Sequence, residues 1–145
     1  GWRIGYLGGP KDIVSAISKL QDHSTSNPAS TSQKAAEAAL SQGEEFICFM
    51  RKEFEKRRDY ACSRLDKIKG ITYARPEGAF YIFCDISRTK MDASAFAERL
   101  LEEALVAVIP GEGFGSSSHI RISFATSIEL LQKAFDRIEQ WMNKI

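Results

Sequence analysis

The stretch Gly70-Ile71-Thr72-Tyr73-Ala74-Arg75-Pro76-Glu77-Gly78-Ala79-Phe80-Tyr81-Ile82-Phe83-Cys84 is where the chain changes its period. Upstream of it, residues 43–70 carry Ile47, Met50, Phe54, Ala61, Leu65 and Ile68 at spacings of three, four and seven. That is one apolar stripe on a helix, with Lys, Arg and Glu on the other faces. At 1.5 Å per residue such a helix is about 40 Å long, long enough to span two domains. Past Gly70 the spacing is no longer helical. Residues 71–74 read as a strand, and Pro76-Glu77-Gly78 as a turn. Residues 79–84 are almost continuously apolar, as a buried strand is.

Working outward toward the C-terminus, Asp92 is the expected cap of a helix running to about Ala104, with Phe96 and Leu100 on one face. Residues 105–109 read as a short strand, residues 110–115 as a glycine-rich loop, and residues 119–125 as a further strand. Thr126 and Glu129 have capping-box spacing. The helix behind them stacks Ile128, Leu131, Phe135, Ile138 and Met142. Toward the N-terminus, residues 2–7 read as a strand end closed by Gly8-Gly9-Pro10. Residues 12–21 have helical spacing through Ile13, Ile17 and Leu20. Residues 23–28 are loop chemistry, Ser30 or Thr31 is the expected cap, and residues 33–40 form an alanine-rich helix. The expected fold class is α/β, with an α+β small domain whose small mixed sheet is packed by helices. Residues 1–42 are expected to belong with a larger domain, and residues 43–145 to form a compact domain with its own sheet.

A 145-residue chain with 43% hydrophobic residues can bury a core. Its net charge of +1 removes any electrostatic reason to invoke nucleic acid or an acidic membrane as a partner. No apolar run approaches the roughly 18 residues of a membrane span, and no signal peptide is visible. Cys48, Cys62 and Cys84 are odd in number and far apart, so reduced thiols are expected rather than a disulfide framework or a zinc site. No metal motif occurs, and His23 and His119 stand in no Ser-His-Asp order. Gly111-Glu112-Gly113-Phe114-Gly115 is GxGxG followed by a strand, whereas a dinucleotide site requires GxGxxG and a helix. A tight turn is the expected reading. Two arginines invite more. Arg3 sits between Gly1 and Gly5, which let backbone approach an anion. Arg121 lies inside an apolar strand, where a charge costs stability unless it is paired. The guanidinium fork suits a carboxylate or phosphate, although an ordinary salt bridge would satisfy either residue.

Gly1-Trp2-Arg3-Ile4-Gly5-Tyr6 with Gly9-Pro10, residues 21–33 with their Ser24-Thr25-Ser26-Asn27-Pro28 core, Pro76-Glu77-Gly78-Ala79-Phe80-Tyr81, residues 108–115 and Arg121-Ile122-Ser123-Phe124-Ala125 form an ordered set of five blocks. Together they resemble the C-terminal portion of the class I, fold-type-I pyridoxal-phosphate aminotransferases, of the aspartate or aromatic branch. While the reduced cysteines point to a cytoplasmic location, the resemblance implies pyridoxal 5'-phosphate as cofactor, amino acids and 2-oxo acids as substrates, and a homodimer. It implies that Arg121 clamps the substrate α-carboxylate, with Phe80 near the side-chain pocket. Arg3 would hold the cofactor phosphate, and Ser26 and Asn27 a loop reaching the neighbouring subunit's site. By the same resemblance the Schiff-base lysine lies about six residues ahead of Gly1. The chain is therefore expected to be a fragment, inactive and without retained cofactor when alone. Lys19, in Ser18-Lys19, reads as a surface lysine. Some aspartate-specific members place an arginine before the Ser-Asn loop; Gln21-Asp22-His23 stands there, and this region does not support aspartate specificity. Two alternatives stay open: a decarboxylase or lyase of the same fold, and a non-catalytic α/β module binding a partner through exposed apolar surface.

Overall fold

The computed structural model describes residues 1–145. Nine regular elements follow one another: α1 (Lys11–Ser24), α2 (Ser30–Gln42), α3 (Glu44–Leu65), β1 (Thr72–Tyr73), β2 (Tyr81–Asp85), α4 (Ala93–Ala104), β3 (Ile109–Pro110), β4 (His119–Ser123) and α5 (Ile128–Met142). The chain divides into two compact units, Gly1–Phe49 and Met50–Ile145. The change falls inside α3. No helix is long and apolar enough to cross a membrane.

Within Met50–Ile145 the strands form one sheet in the order β1-β2-β4-β3. Every pairing is antiparallel, so the sheet is not the mixed one expected. Residues 74–80 and 111–118 are too short for a parallel crossover and only reverse the chain, whereas β4 returns antiparallel beside β2 after the longer segment 86–118 that carries α4 and β3. The fold class itself is as expected, with helices packed on a small sheet. Alternation along β2 and β4 sends Ile82, Cys84, Ile120 and Ile122 to one face, where all are buried. Against them pack Ala61, Cys62 and Leu65 of α3, Phe96 and Leu100 of α4, and Leu131, Phe135, Ile138 and Trp141 of α5. Phe96 and Trp141 meet edge to face at 5.0 Å. Arg64 ties α3 to α5, donating to Asp136 at 2.6 Å and to Glu139 at 3.1 Å.

Several local expectations change. The long helix ends at Leu65 rather than near Gly70, because Lys67 and Ile68 close tight turns onto Arg64 and Leu65. Its 22 residues make it about 33 Å long. Its apolar stripe is only half used: Ala61 and Leu65 are buried, whereas Ile47 and Met50 are exposed. The strand expected at residues 105–109 shrinks to β3, since Leu105 is the left-handed C-cap of α4 with φ +55°. Asp92 caps α4 as expected, accepting from the Ala95 N–H. At α5 the cap is Ser127, which accepts from the Leu130 N–H, and not Thr126.

The unit Gly1–Phe49 holds α1, α2 and the start of α3. Ser32 is its one buried residue, and its hydroxyl donates to the Trp2 carbonyl at 3.2 Å. Residues 2–7 form no strand: nothing in the chain pairs with them, and Arg3 has a left-handed φ of +52°. Neither Ser30 nor Thr31 caps α2, which Ala29 precedes without any side-chain hydrogen bond. Trp2 is 67% exposed, and Tyr6, Phe46, Ile47 and Phe49 are exposed with it.

Candidate functional site

The face of the sheet opposite the helices carries Tyr81, Phe83 and Asp85 from β2, directly across from Ser123, Arg121 and His119 of β4. Ile109 of β3 pairs with Arg121 from the other side. Strand alternation, not local preference, puts a charged residue here: Ile120 and Ile122 claim the core face, so Arg121 must point the other way.

Arg121 is half-buried and none of the chain's ion pairs involves it. Two aromatic rings take the place of a carboxylate. The guanidinium carbon lies 4.9 Å from the centre of the Tyr81 ring and 4.7 Å from that of Phe114. Ring faces attract the cation but occupy none of its N–H donors. The result is a positive group, held from two sides, with donors free for a planar anion.

Phe114 reaches this place through the glycine-rich segment. Gly111–Phe114 is a single 3-10 turn following β3, and Gly115 leaves it with φ +85°. A Cβ on Gly111 would stand 2.4 Å from the His119 carbonyl oxygen and 2.5 Å from that of Ser116. Only glycine lets the turn lie this close to β4. Phe83 meets Phe114 edge to face at 6.2 Å and stacks on His119 at 4.7 Å. His119 Nδ1 is hydrogen-bonded with Ser116 Oγ at 2.7 Å and Ser118 Oγ at 3.1 Å. Asp85 accepts from the Ser87 backbone N–H at 2.7 Å, and that bond, helped by the Ser87 hydroxyl and His119, holds its carboxyl below the usual carboxylate range.

Phe80 is exposed and follows Ala79, whose φ is +60°. Its carbonyl accepts from the Phe124 N–H, and its ring meets Tyr81 edge to face at 5.7 Å. With Arg51, Phe54, Arg58 and Phe124 it lines a cleft of about 450 Å³. The structure thus links Phe80 to Arg121 through Tyr81. Arg3, Ser26 and Asn27 belong to the unit Gly1–Phe49. All three are exposed, and Arg3 makes no ion pair. Ser26 sits just past α1 with φ +59°, its N–H donating to the Gln21 carbonyl. Sequence reasoning picked out Arg121 and Phe80 but missed Tyr81 and Phe114 as neighbours of the guanidinium. Tyr81 was within reach of strand alternation; Phe114 was not, because it arrives from a turn rather than from a strand.

A family profile, aminotransferase class I and II, matches residues 1–138. The chain is 45% identical to an aspartate aminotransferase of Geobacillus stearothermophilus, over 98% of this chain and 37% of that protein. It is 46% identical to an aspartate/prephenate aminotransferase of Cereibacter sphaeroides, over 96% of this chain and again 37% of the relative. Among solved structures, the aspartate aminotransferase of Rhizobium meliloti superposes with a TM-score of 0.89 at 38% identity, covering 98% of this chain and 38% of that one. The aromatic aminotransferase of Pyrococcus horikoshii superposes at 0.90 with 36% identity, covering 99% and 39%. The chain therefore spans less than two-fifths of the length of the relatives it matches. With the profile running through nearly the whole chain and both sequence and fold agreeing with it, this chain belongs to the class I and II aminotransferase family.

Proposed function

We propose that the protein to which this chain belongs is a pyridoxal-phosphate aminotransferase, exchanging an amino group between an amino acid and a 2-oxo acid. The observation that carries this reading is Arg121, a half-buried guanidinium stacked by two rings and joined to no carboxylate of its own chain. It binds the substrate α-carboxylate through paired N–H donors, and so fixes the orientation of the Cα–H bond. Phe80 stands beside the substrate side chain. Arg3, unpaired and flanked by glycines, fits a phosphate and holds that of the cofactor; Ser26 and Asn27 lie on a loop that approaches the site of the other subunit of a homodimer. When bound, the cofactor supplies an electron sink for the carbanion formed at Cα. The enzyme works in the cytoplasm. Residues 1–42 belong with the large cofactor-binding domain and residues 43–145 are the small domain. None of these residues is assigned the Schiff-base role, and on their own they neither retain the cofactor nor transaminate.

The test uses the full-length protein with L-aspartate, L-glutamate and L-phenylalanine as donors, following 2-oxo acid and carbon dioxide separately. L-Aspartate is the expected donor, because three of the four relatives above are named for it, although Gln21-Asp22-His23 supplies no second arginine for its side chain. Arg121→Lys, which loses the bidentate fork, is expected to lower kcat/KM by about 10- to 150-fold, the worth of a charged hydrogen-bonded pair. An unchanged kcat/KM overturns the role of Arg121. Carbon dioxide in place of 2-oxo acid overturns transamination.

A further inference from the structure

We infer that Tyr81 and Phe114 are positioning residues for Arg121, acting as two walls that set the plane of the guanidinium to receive a carboxylate edge-on. The inference rests on the reading of Arg121 as the carboxylate-binding group. An arginine side chain has four rotatable bonds, and holding it in one pose costs entropy at every binding event unless something holds it beforehand. An acidic neighbour would hold it, but would also occupy its donors and cancel its charge. Aromatic faces avoid both losses. Arg121 has this second arrangement: rings at 4.9 and 4.7 Å and no carboxylate partner.

The walls are themselves braced. Phe80 meets the Tyr81 ring edge to face at 5.7 Å. Phe83 meets Phe114 edge to face at 6.2 Å, and is backed in turn by His119 stacked at 4.7 Å. Tyr81 and Phe114 thus face the cation, with Phe80 packed on Tyr81, Phe83 on Phe114 and His119 on Phe83, all from the unit Met50–Ile145. The Gly111 close approach anchors the turn that carries Phe114. Each wall is therefore fixed by its own local packing and does not depend on the anion for its place.

The experiment uses the full-length enzyme carrying Tyr81→Leu, Phe114→Leu, Tyr81→Phe or Phe114→Tyr. Half-reactions are followed with L-aspartate and with 3-aminopropanoate, which is aspartate without its α-carboxylate. Each leucine variant is expected to raise KM for L-aspartate about 2- to 12-fold, the factor that about 0.5–1.5 kcal/mol for ordering one rotamer-rich side chain on binding represents. kcat should change less than about threefold, and the rate with 3-aminopropanoate should stay at the wild-type value. Tyr81→Phe and Phe114→Tyr keep a ring and should keep the wild-type KM. The inference is overturned if the leucine variants leave KM for L-aspartate unchanged, or if they slow 3-aminopropanoate equally, which would mark a general structural role. Should a leucine variant fail to fold, Arg121 Nε–H resonances in the two ring-keeping variants decide. A shifted line with unaltered KM in both would sink the idea, whereas a line unmoved together with KM supports it. Failure of the carboxylate reading looks different: Arg121→Lys itself would then leave KM for L-aspartate unchanged.

Discussion

Replacing Gly111 by alanine asks whether the turn carrying Phe114 is held by close backbone approach. The added Cβ would lie 2.4 Å from the His119 carbonyl oxygen and 2.5 Å from that of Ser116. Ordinary contact begins near 3.4 Å, so two backbone segments must retreat by roughly 1 Å. Neither yields easily. Ser116 is tied to Gly111 by its own N–H at 3.1 Å, the neighbouring carbonyls of Ser117 and Ser118 accept from Ala93 and Ile86, and β3 is paired with β4 through Pro110 and Ile120. Overpacking of this kind costs about 1–3 kcal/mol, and a strained or broken backbone hydrogen bond about 1 kcal/mol more. A loss of about 2–4 kcal/mol corresponds to a fall in melting temperature on the order of 10 °C or more for a domain of this size. Near-ultraviolet circular dichroism of a thermal melt measures it. Gly113→Ala is the internal control: nothing lies within 4 Å of the added Cβ, so its melt should move by less than about 3 °C. If Gly111→Ala also melts within about 3 °C of the wild type, the close approach does not hold the turn.

Arg64→Met removes the link from α3 to Asp136 and Glu139 on α5, leaving two carboxylates one helical turn apart without their cation. Because both acids are partly exposed, the expected loss is about 1–2 kcal/mol, read as a lower urea midpoint; an unchanged midpoint refutes it. Asp85 has a depressed carboxyl pKa, caused first by the Ser87 backbone N–H, so its stabilising contribution is complete above the unfolded value near 3.9 and disappears as pH falls through the lower folded value. Asp85→Asn should therefore be less stable than wild type at pH 6 and equal to it in strong acid, in urea titrations at both; equal stability at pH 6 contradicts this. Burial pushes the Cys84 thiol up to about 12, whereas Cys48 is exposed. Iodoacetamide at pH 8 should label Cys48 in the folded chain and reach Cys84 only in denaturant, as peptide mass mapping would show.

What the amino-acid order determined was the kind of element that most stretches form, though not every cap or end, as Thr126 and Ser30 show. The loss of helical period after Gly70 announced a sheet following a long helix, because periods of 3.6 and 2 cannot be mistaken for one another over such lengths. Asp92 was legible as a cap, and so was the stripe of Leu131, Phe135 and Ile138, since each depends on spacing within one helix. Arg121 stood out as a charge in an apolar strand, and the ordered blocks around it pointed to the family. Contacts between elements were not legible in this way. Residues 2–7 have the composition of a strand, but a strand exists only where a partner pairs with it, and none does here. Leu105 has a strand-former's neighbours, yet closing α4 required a left-handed residue at that point. Above all, tertiary structure decided what satisfies Arg121. The sequence left a choice between a salt bridge and an external anion. The fold brings Tyr81 across from β2 and Phe114 from a turn that only Gly111 allows, and a cation held by ring faces keeps its donors free.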